Sequence, residues 1–330
     1  MAVLLQAGQS FPDIHDAFYD RLRWVSTGPV SIGFPALTLP SGDVMQLPGI
    51  NTNSGYAAQI AGGYSIALLG QDITPTRETG RLATGTVTAV VMIDSSNDTR
   101  FALFDTSISA AQVMAVAATS GTEDDRALFA ARLGGDDLVM GHETLTLAET
   151  LHAGAGDDLV MGYAGADLID GGTGNDLLVG GLGRDTIRGG GGNDLIGGDE
   201  GDRRTGTGDV LNGGAGNDRI LADGAGYRLT GGGGADVFVF LAGGTGSVIT
   251  DFTENLDRIL LDGWTGGFAG LRFAELADGV LQVRAGTTVF RLQGVDRADL
   301  DAQDFIFGRS ALDYAEAQID VWLNGWDYAS

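Results

Sequence analysis

Residues 171–197 read GGTGNDLLV, GGLGRDTIR and GGGGNDLIG, three consecutive nonapeptides in one register. Two more precede them, AGAGDDLVM at 153–161 and GYAGADLID at 162–170. Beyond an irregular stretch, Gly198 to Arg203, the period resumes with RTGTGDVLN (204–212), GGAGNDRIL (213–221), ADGAGYRLT (222–230) and GGGGADVFV (231–239). A partial copy, GGDDLVM, occupies 134–140. A single such string is an ordinary turn. An unbroken in-register run specifies a repeat architecture.

Residue type assigns each position a task. Positions one to four need backbone freedom, with φ > 0 in places, which glycine provides without a Cβ penalty. Position six is acidic: Asp158, Asp167, Asp176, Asp185, Asp194, Asp209, Asp218 and Asp236, with Asp137 in the partial copy. Position eight is apolar throughout: Val160, Ile169, Leu178, Ile187, Ile196, Leu211, Ile220, Leu229 and Phe238. Positions six and eight of a strand share a face, so the apolar side chain enters a core while the carboxylate sits at its rim over the turn. Carboxylates and the carbonyls of a tight glycine turn are both ligands for a hard cation such as calcium.

These nonapeptides resemble the G-G-x-G-x-D-x-U-x repeat of the RTX (repeats-in-toxin) family of secreted, hemolysin-type calcium-binding proteins. The resemblance implies a parallel β-roll in which two nonapeptides form one coil. Like turns then stack Asp158 on Asp176, Asp176 on Asp194, Asp167 on Asp185, and Asp218 on Asp236. Across the irregular stretch, Asp194–Asp218 and Asp185–Asp209 can still stack around a bulged loop. About four to six calcium ions are expected at these aspartates. For Asp137 and Asp209, a solvated cap on a metal-free glycine turn is an equal alternative. Tyr227 replaces the aspartate of its copy, so that turn is expected to bind calcium poorly or not at all. Leu159, Leu177 and Leu195, at position seven of alternate copies, predict an exposed apolar stripe on one outer sheet face, with Leu168 on the other.

The expected fold is mainly β: a calcium-binding β-roll in the middle and C-terminal half, preceded by a small β-rich domain with short capping helices. The boundaries expected are a β-rich domain at 1–108, a helical cap at 109–133, the roll at 134–247, and a C-terminal cap with secretion signal at 248–330. Ser109 is a good N-cap for a helix over 110–118, and Thr122 to Asp125 opens a second reaching Leu133. Residues 36–39 with 44–47, and 56–60 with 64–69, read as hairpins, and 86–93 and 101–104 as further strands. Toward the C-terminus, 280–284 and 289–293 alternate like a hairpin. Leu312, Ala315, Ile319, Trp322, Leu323 and Trp326 fall at helical spacing.

Composition narrows the function. The 330 residues carry 44 acids against 19 basic residues, a net charge of −25, and every basic residue is arginine. A chain this acidic is unsuited to the nucleic-acid backbone. Without cysteine it forms neither disulfides nor thiolate metal sites. No apolar run reaches the roughly 18 residues of a transmembrane helix, and the opening Met1 to Leu5 lacks the form of a secretory signal. The RTX resemblance instead implies type I secretion from a Gram-negative bacterium, with the apparatus reading an uncleaved C-terminal signal. The ending Asp327-Tyr328-Ala329-Ser330 matches only part of the family's acidic-then-apolar terminus.

Enzyme motifs are wanting. His15, His142 and His152 do not form the H-E-x-x-H of a zinc protease. Gly63-Tyr-Ser65-Ile-Ala67 departs from G-x-S-x-G at its last residue and lies in an expected hairpin, so Ser65 reads as a strand serine. An acylated pore-forming toxin needs lysine, and there is none. Two readings remain: a secreted, non-enzymatic calcium-binding protein with a surface, matrix or adhesive role, or a secreted hydrolase with an N-terminal catalytic domain of unrecognised type.

Overall fold

A computed structural model describes residues 134–141, 148–198, 208–222, 224–276 and 279–307, together with the strand backbones between residues 3 and 109. The chain divides into two units, Met1–His142 and Glu143–Ser330.

The first unit is built on an antiparallel meander of Ser54–Gln59, Ser65–Pro75, Leu82–Ile93 and Thr99–Ser109. Val, Ile, Thr and aromatic residues are frequent in these segments, which suits a pleated surface. Val3–Gln6 pairs antiparallel with Thr99–Ser109 and parallel with Leu138–Met140. Both expected hairpins form: Leu37–Thr38 pairs with Val44–Met45, and Gln59 pairs with Ser65 across the second turn. Ser65 is paired on its other side with Ile93, which makes it a ladder residue between two strands. Ser109 ends a strand, and the helices expected over 110–133 lie outside the described residues.

In the second unit the nonapeptides wind into six coils between Thr150 and Leu261, each holding one longer and one shorter strand. The long-strand sheet runs Thr150–Ala155, Leu168–Thr173, Thr186–Gly191, Val210–Ala215, Arg228–Gly233 and Thr245–Ile249, all parallel. The short-strand sheet runs Leu159–Met161, Leu177–Val179, Leu195–Gly197, Arg219–Ala222, Val237–Phe240 and Arg258–Leu261, also parallel. Identical positions pair coil to coil: Val160 with Leu178, Ile169 with Ile187, Ile220 with Phe238. The position-eight side chains point between the sheets, and all nine are fully buried. Each such aliphatic or aromatic side chain contributes about 1.5–3 kcal/mol by leaving water. The roll runs past the expected boundary at 247, because Ile249 and Ile259 occupy the same core position in a further coil.

The position-seven leucines depart from expectation. Leu159 and Leu177 are buried and Leu195 is half-buried, so no exposed stripe exists there. The short-strand sheet is apolar on both faces, with Val239, Leu241 and Leu260 clustering on its outer side against Leu221, Val237 and Ile306. Parallel sheets are characteristically covered on both faces, and near-continuous apolar strands such as Leu159–Met161 reflect that.

The C-terminal end is closed by the hairpin Leu281–Ala285 and Thr288–Leu292, which joins the long-strand sheet through Thr245–Ile249. Arg272–Glu275 adds the edge strand, and Phe305–Phe307 extends the short-strand sheet. Phe290 stacks on Phe240 at 4.3 Å between ring centroids, and the Arg297 guanidinium lies over Phe273 at 4.1 Å. These aromatic contacts cover the core that a solenoid's last coil would expose. The helical spacing read over 312–326 lies outside the described residues.

Candidate metal centre

The position-six aspartates form two ladders, one along each row of turns. In the ladder preceding the short strands, Asp158 N–H donates to Asp176 Oδ1 at 2.9 Å. Asp176 donates likewise to Asp194, Asp194 to Asp218, Asp218 to Asp236 and Asp236 to Asp257, each at 2.9 Å. In the ladder preceding the long strands, Glu149 N–H donates to Asp167 Oδ1, Asp167 to Asp185 and Asp185 to Asp209, each at 2.8 Å. The 24-residue steps keep the geometry of the 18-residue ones.

One carboxylate oxygen is thereby satisfied, and the other is not. Oδ2 of Asp167, Asp176, Asp194, Asp218 and Asp236 is buried with no hydrogen-bond partner among the described residues. Leaving such an atom unmet costs about 1–3 kcal/mol, more for a charged group. Each Oδ2 faces the first glycine of its own turn, where a Cβ would strike it: Gly171 for Asp176, Gly189 for Asp194, Gly213 for Asp218 and Gly231 for Asp236. The same space borders the carbonyl of the next coil's first glycine, with Gly189 O 2.7 Å and Gly231 O 2.7 Å from the Cβ positions of Gly171 and Gly213. A carboxylate oxygen and a carbonyl oxygen thus converge on a cradle that only glycine leaves open.

Burial, the largest influence, pushes the carboxyls of Asp167, Asp176, Asp218 and Asp236 up to about 6 and that of Asp194 to about 7. Backbone hydrogen bonds pull the other way and do not compensate. Among the described residues no three carboxylates or imidazoles gather at one point. A cation held here would therefore draw most of its oxygens from turn carbonyls, as the hard, flexible coordination of calcium allows. The donor set fits that ion: oxygen only, one unmet carboxylate oxygen per turn, and no nitrogen or sulfur.

Tyr227 shows how the second ladder ends. At Gly180 a Cβ would meet Asp185 Oδ2 and the Gly198 carbonyl, at 2.9 Å, in the usual pairing. At Gly198 it would meet Asp209 Oδ2 together with Tyr227 Cε1 at 2.5 Å and Tyr227 Oη at 2.9 Å. The phenol stands where the next glycine carbonyl would be, and it is completely buried. Tyr227 N–H donates to Ser247 Oγ at 3.2 Å, a neutral hydroxyl in the place of the next carboxylate.

All nine aspartates read from the repeat are buried, so none is a solvated cap. Asp137 belongs to the first unit, directly before Leu138–Met140. Sequence reading missed Glu149 and Asp257, which continue the ladders. Their signal was an acid two residues before a core position, Glu149–Leu151 and Asp257–Ile259, without glycines in front. It also missed a second ladder on one row of turns. There Asn175 N–H donates to Asp157 Oδ1 (2.6 Å), Asn193 to Asn175 (2.8 Å), Asn217 to Asn193 (2.7 Å) and Ala235 to Asn217 (2.8 Å). It runs opposite to the aspartate ladder, so successive coils are tied in both directions.

The sequence model of the RTX calcium-binding nonapeptide repeat matches residues 146–178, 170–204 and 205–226. No curated protein matches the chain. Among solved structures, the AlgE6R3 subunit of the Azotobacter vinelandii mannuronan C5-epimerase is similar at 30% identity, over 43% of this chain and 80% of that one, with a TM-score of 0.27. The AlgE6R2 subunit of the same enzyme is similar at 32% identity, over 42% and 91%, with a TM-score of 0.20. The extracellular lipase LipA of Serratia marcescens matches at 17% identity, over 53% and 38%, with a TM-score of 0.22.

Proposed function

Because the chain belongs to the RTX family, whose calcium-binding repeat it carries between residues 146 and 226, we propose that it is a secreted protein whose roll folds when extracellular calcium fills the aspartate cradles. The supporting observation is the row of buried Oδ2 atoms, each over a glycine and beside a carbonyl of the next coil. Asp158, Asp176, Asp194, Asp218 and Asp236 would hold ions along one row, and Asp167 and Asp185 along the other, where the Tyr227 phenol fills the cradle of Asp209. About four to six calcium ions would offset roughly 8 to 12 of the negative charges. Asp137 would serve the same purpose at the start.

At cytosolic calcium, stacked carboxylates repel, and the glycines lose the most backbone entropy on ordering. The chain is then unfolded and can thread through a type I secretion apparatus that reads residues 248–330. Outside, calcium at about 10⁻⁴–10⁻³ M is the working range of extracellular calcium modules. The folded protein then serves at a surface or matrix in an adhesive, non-enzymatic role. No helix among the described residues is long and apolar enough to cross a membrane. In a Gram-negative host with a type I apparatus, the full chain is expected in the culture supernatant, and a chain lacking the last ~60 residues in the cells. Equal export of both would refute the C-terminal route.

The Tyr227 geometry yields a stoichiometric prediction. Tyr227→Asp removes the phenol and restores a carboxylate beside Asp209. The variant is expected to bind one more calcium per molecule by equilibrium dialysis. Unchanged stoichiometry in a folded variant would show that Tyr227 is not what closes the ladder.

A further inference from the structure

The outer face of the long-strand sheet carries a charge opposite to that of the molecule. Arg228 lies on Arg228–Gly233 and Arg291 on Thr288–Leu292, both in register with Val248 between them. Arg284 lies on Leu281–Ala285, directly opposite Arg272 on the edge strand. Core residues alternate with these arginines: Leu229, Phe290 and Leu292, Val283 and Ala285 are buried, and the four arginines are exposed. All four therefore project from one face. They span four strand spacings, about 19 Å. The guanidinium groups of Arg228, Arg284 and Arg291 have no hydrogen-bond or ion-pair partner among the described residues, and that of Arg272 reaches only the carbonyls of Gly270 and Leu271. Among the described residues, no carboxylate occupies an outward-facing position of these strands between Val210–Ala215 and the edge. Asp251 lies at the far end of Arg228–Gly233, where its carboxylate accepts from the N–H groups of Gly231 at 2.9 Å and Gly232 at 2.8 Å, and Asp170 lies further back beside His152 at 3.4 Å.

This arrangement costs stability on its own. Like charges directly opposite on paired strands destabilise a sheet, as Arg272 and Arg284 are placed. A bound anion would remove that repulsion. Around the arginines stand Asn212, Thr230, Thr250 and Gln282, half-buried hydroxyl and amide groups, with Thr230 and Thr250 sharing a hydrogen bond of 2.8 Å. Exposed large apolar side chains among the described residues are Leu182 and Leu256, neither on these strands. A face without apolar or aromatic anchors does not suit insertion into lipid. The overall charge of −25 and the absence of stacking aromatics on the face disfavour nucleic acid. Guanidinium forks match carboxylates bidentately, and hydroxyl and amide side chains match sugar hydroxyls.

We propose that this arginine face binds an extended acidic polysaccharide through its uronate carboxylates, lying across the strands. This supplies the partner chemistry for the surface role above and rests on the calcium-folded roll. The test uses full-length protein at fixed free calcium and short oligogalacturonate, with the methyl-esterified oligomer as the uncharged control. Binding is expected for the acid, absent for the ester, and weaker as sodium chloride is raised. The variant Arg228→Gln/Arg272→Gln/Arg284→Gln/Arg291→Gln is expected to lose at least tenfold in affinity while keeping its calcium-induced circular dichroism. That spectrum, read in the same samples, separates a failed roll from a failed face. Equal binding by the folded variant, binding of acid and ester alike, or insensitivity of wild-type binding to salt would overturn the proposal. Preference for phosphatidylglycerol vesicles over the oligouronate would overturn it in favour of a membrane.

Discussion

With calcium chelated, full-length protein is expected to lose most of the far-ultraviolet β signal of residues 150–261, and to regain it in millimolar calcium. The energetics require a large effect. At a dissociation constant of about 10⁻⁴ M, 1 mM calcium stabilises the folded form by about 1.4 kcal/mol per site. Four to six sites then supply about 6–8 kcal/mol, comparable to the whole stability of an ordinary domain. Without the ions the buried carboxylates must either ionise in a poor dielectric or take up protons. Superimposable spectra with and without calcium would refute coupled folding. Acidity gives the same experiment a second arm. The folded-state values of Asp167, Asp176, Asp194, Asp218 and Asp236 lie at about 6 to 7, above the ordinary 3.8. Their protonation therefore stabilises the metal-free roll fully below pH 4, and that contribution disappears as pH rises through 6 to 7. Protons thus take over part of the task of calcium on acidification, so the calcium concentration at the folding midpoint is expected to fall from pH 7.5 to pH 5, while the affinity of the already folded roll for calcium weakens because the ion must displace protons. A midpoint that rises on acidification would exclude these aspartates as the linked groups.

Two adjacent glycines are expected to differ sharply. Gly192 has φ +137°, and a Cβ there would strike the Gly174 carbonyl one coil back. Alanine at this position meets both a strained backbone and a steric clash, against a stack that does not widen without breaking its hydrogen bonds. Gly192→Ala is expected to destabilise the calcium-loaded roll by about 4 kcal/mol or more. Gly191, the preceding residue, has no atom within 4 Å of its would-be Cβ. Gly191→Ala is expected to change stability by no more than about 0.5 kcal/mol. Denaturant unfolding in saturating calcium checks both. Comparable losses would mean that coil stacking does not set the glycine requirement.

The repeat made the core and most of the metal ladder legible, because position eight and position six answer to local strand alternation. Val160 through Phe238 and the nine aspartates were readable without knowing what lies beside them. Glu149 and Asp257 were not, since neither follows a glycine turn and only the adjoining coil shows that each joins a ladder. The reading of Leu159 and Leu177 as exposed failed for a related reason. Position seven points away from the core between the sheets, but whether that side faces water depends on what packs there. Nor did Asn175, Asn193 and Asn217 announce their ladder, because a turn asparagine usually serves its own backbone.

What the sequence determined by itself is the unit: a nine-residue period, glycine where φ must be positive, an acid at the turn and an apolar residue in the strand. Each of those follows from interactions within a few residues. The tertiary structure alone decided which carboxylate oxygen is left unmet, that Tyr227 fills the last cradle beside Asp209, and that Arg272, Arg284 and Arg291 stand on one face with Arg228. Those outcomes arise between residues on different coils and strands, where coil stacking and strand order determine which groups meet.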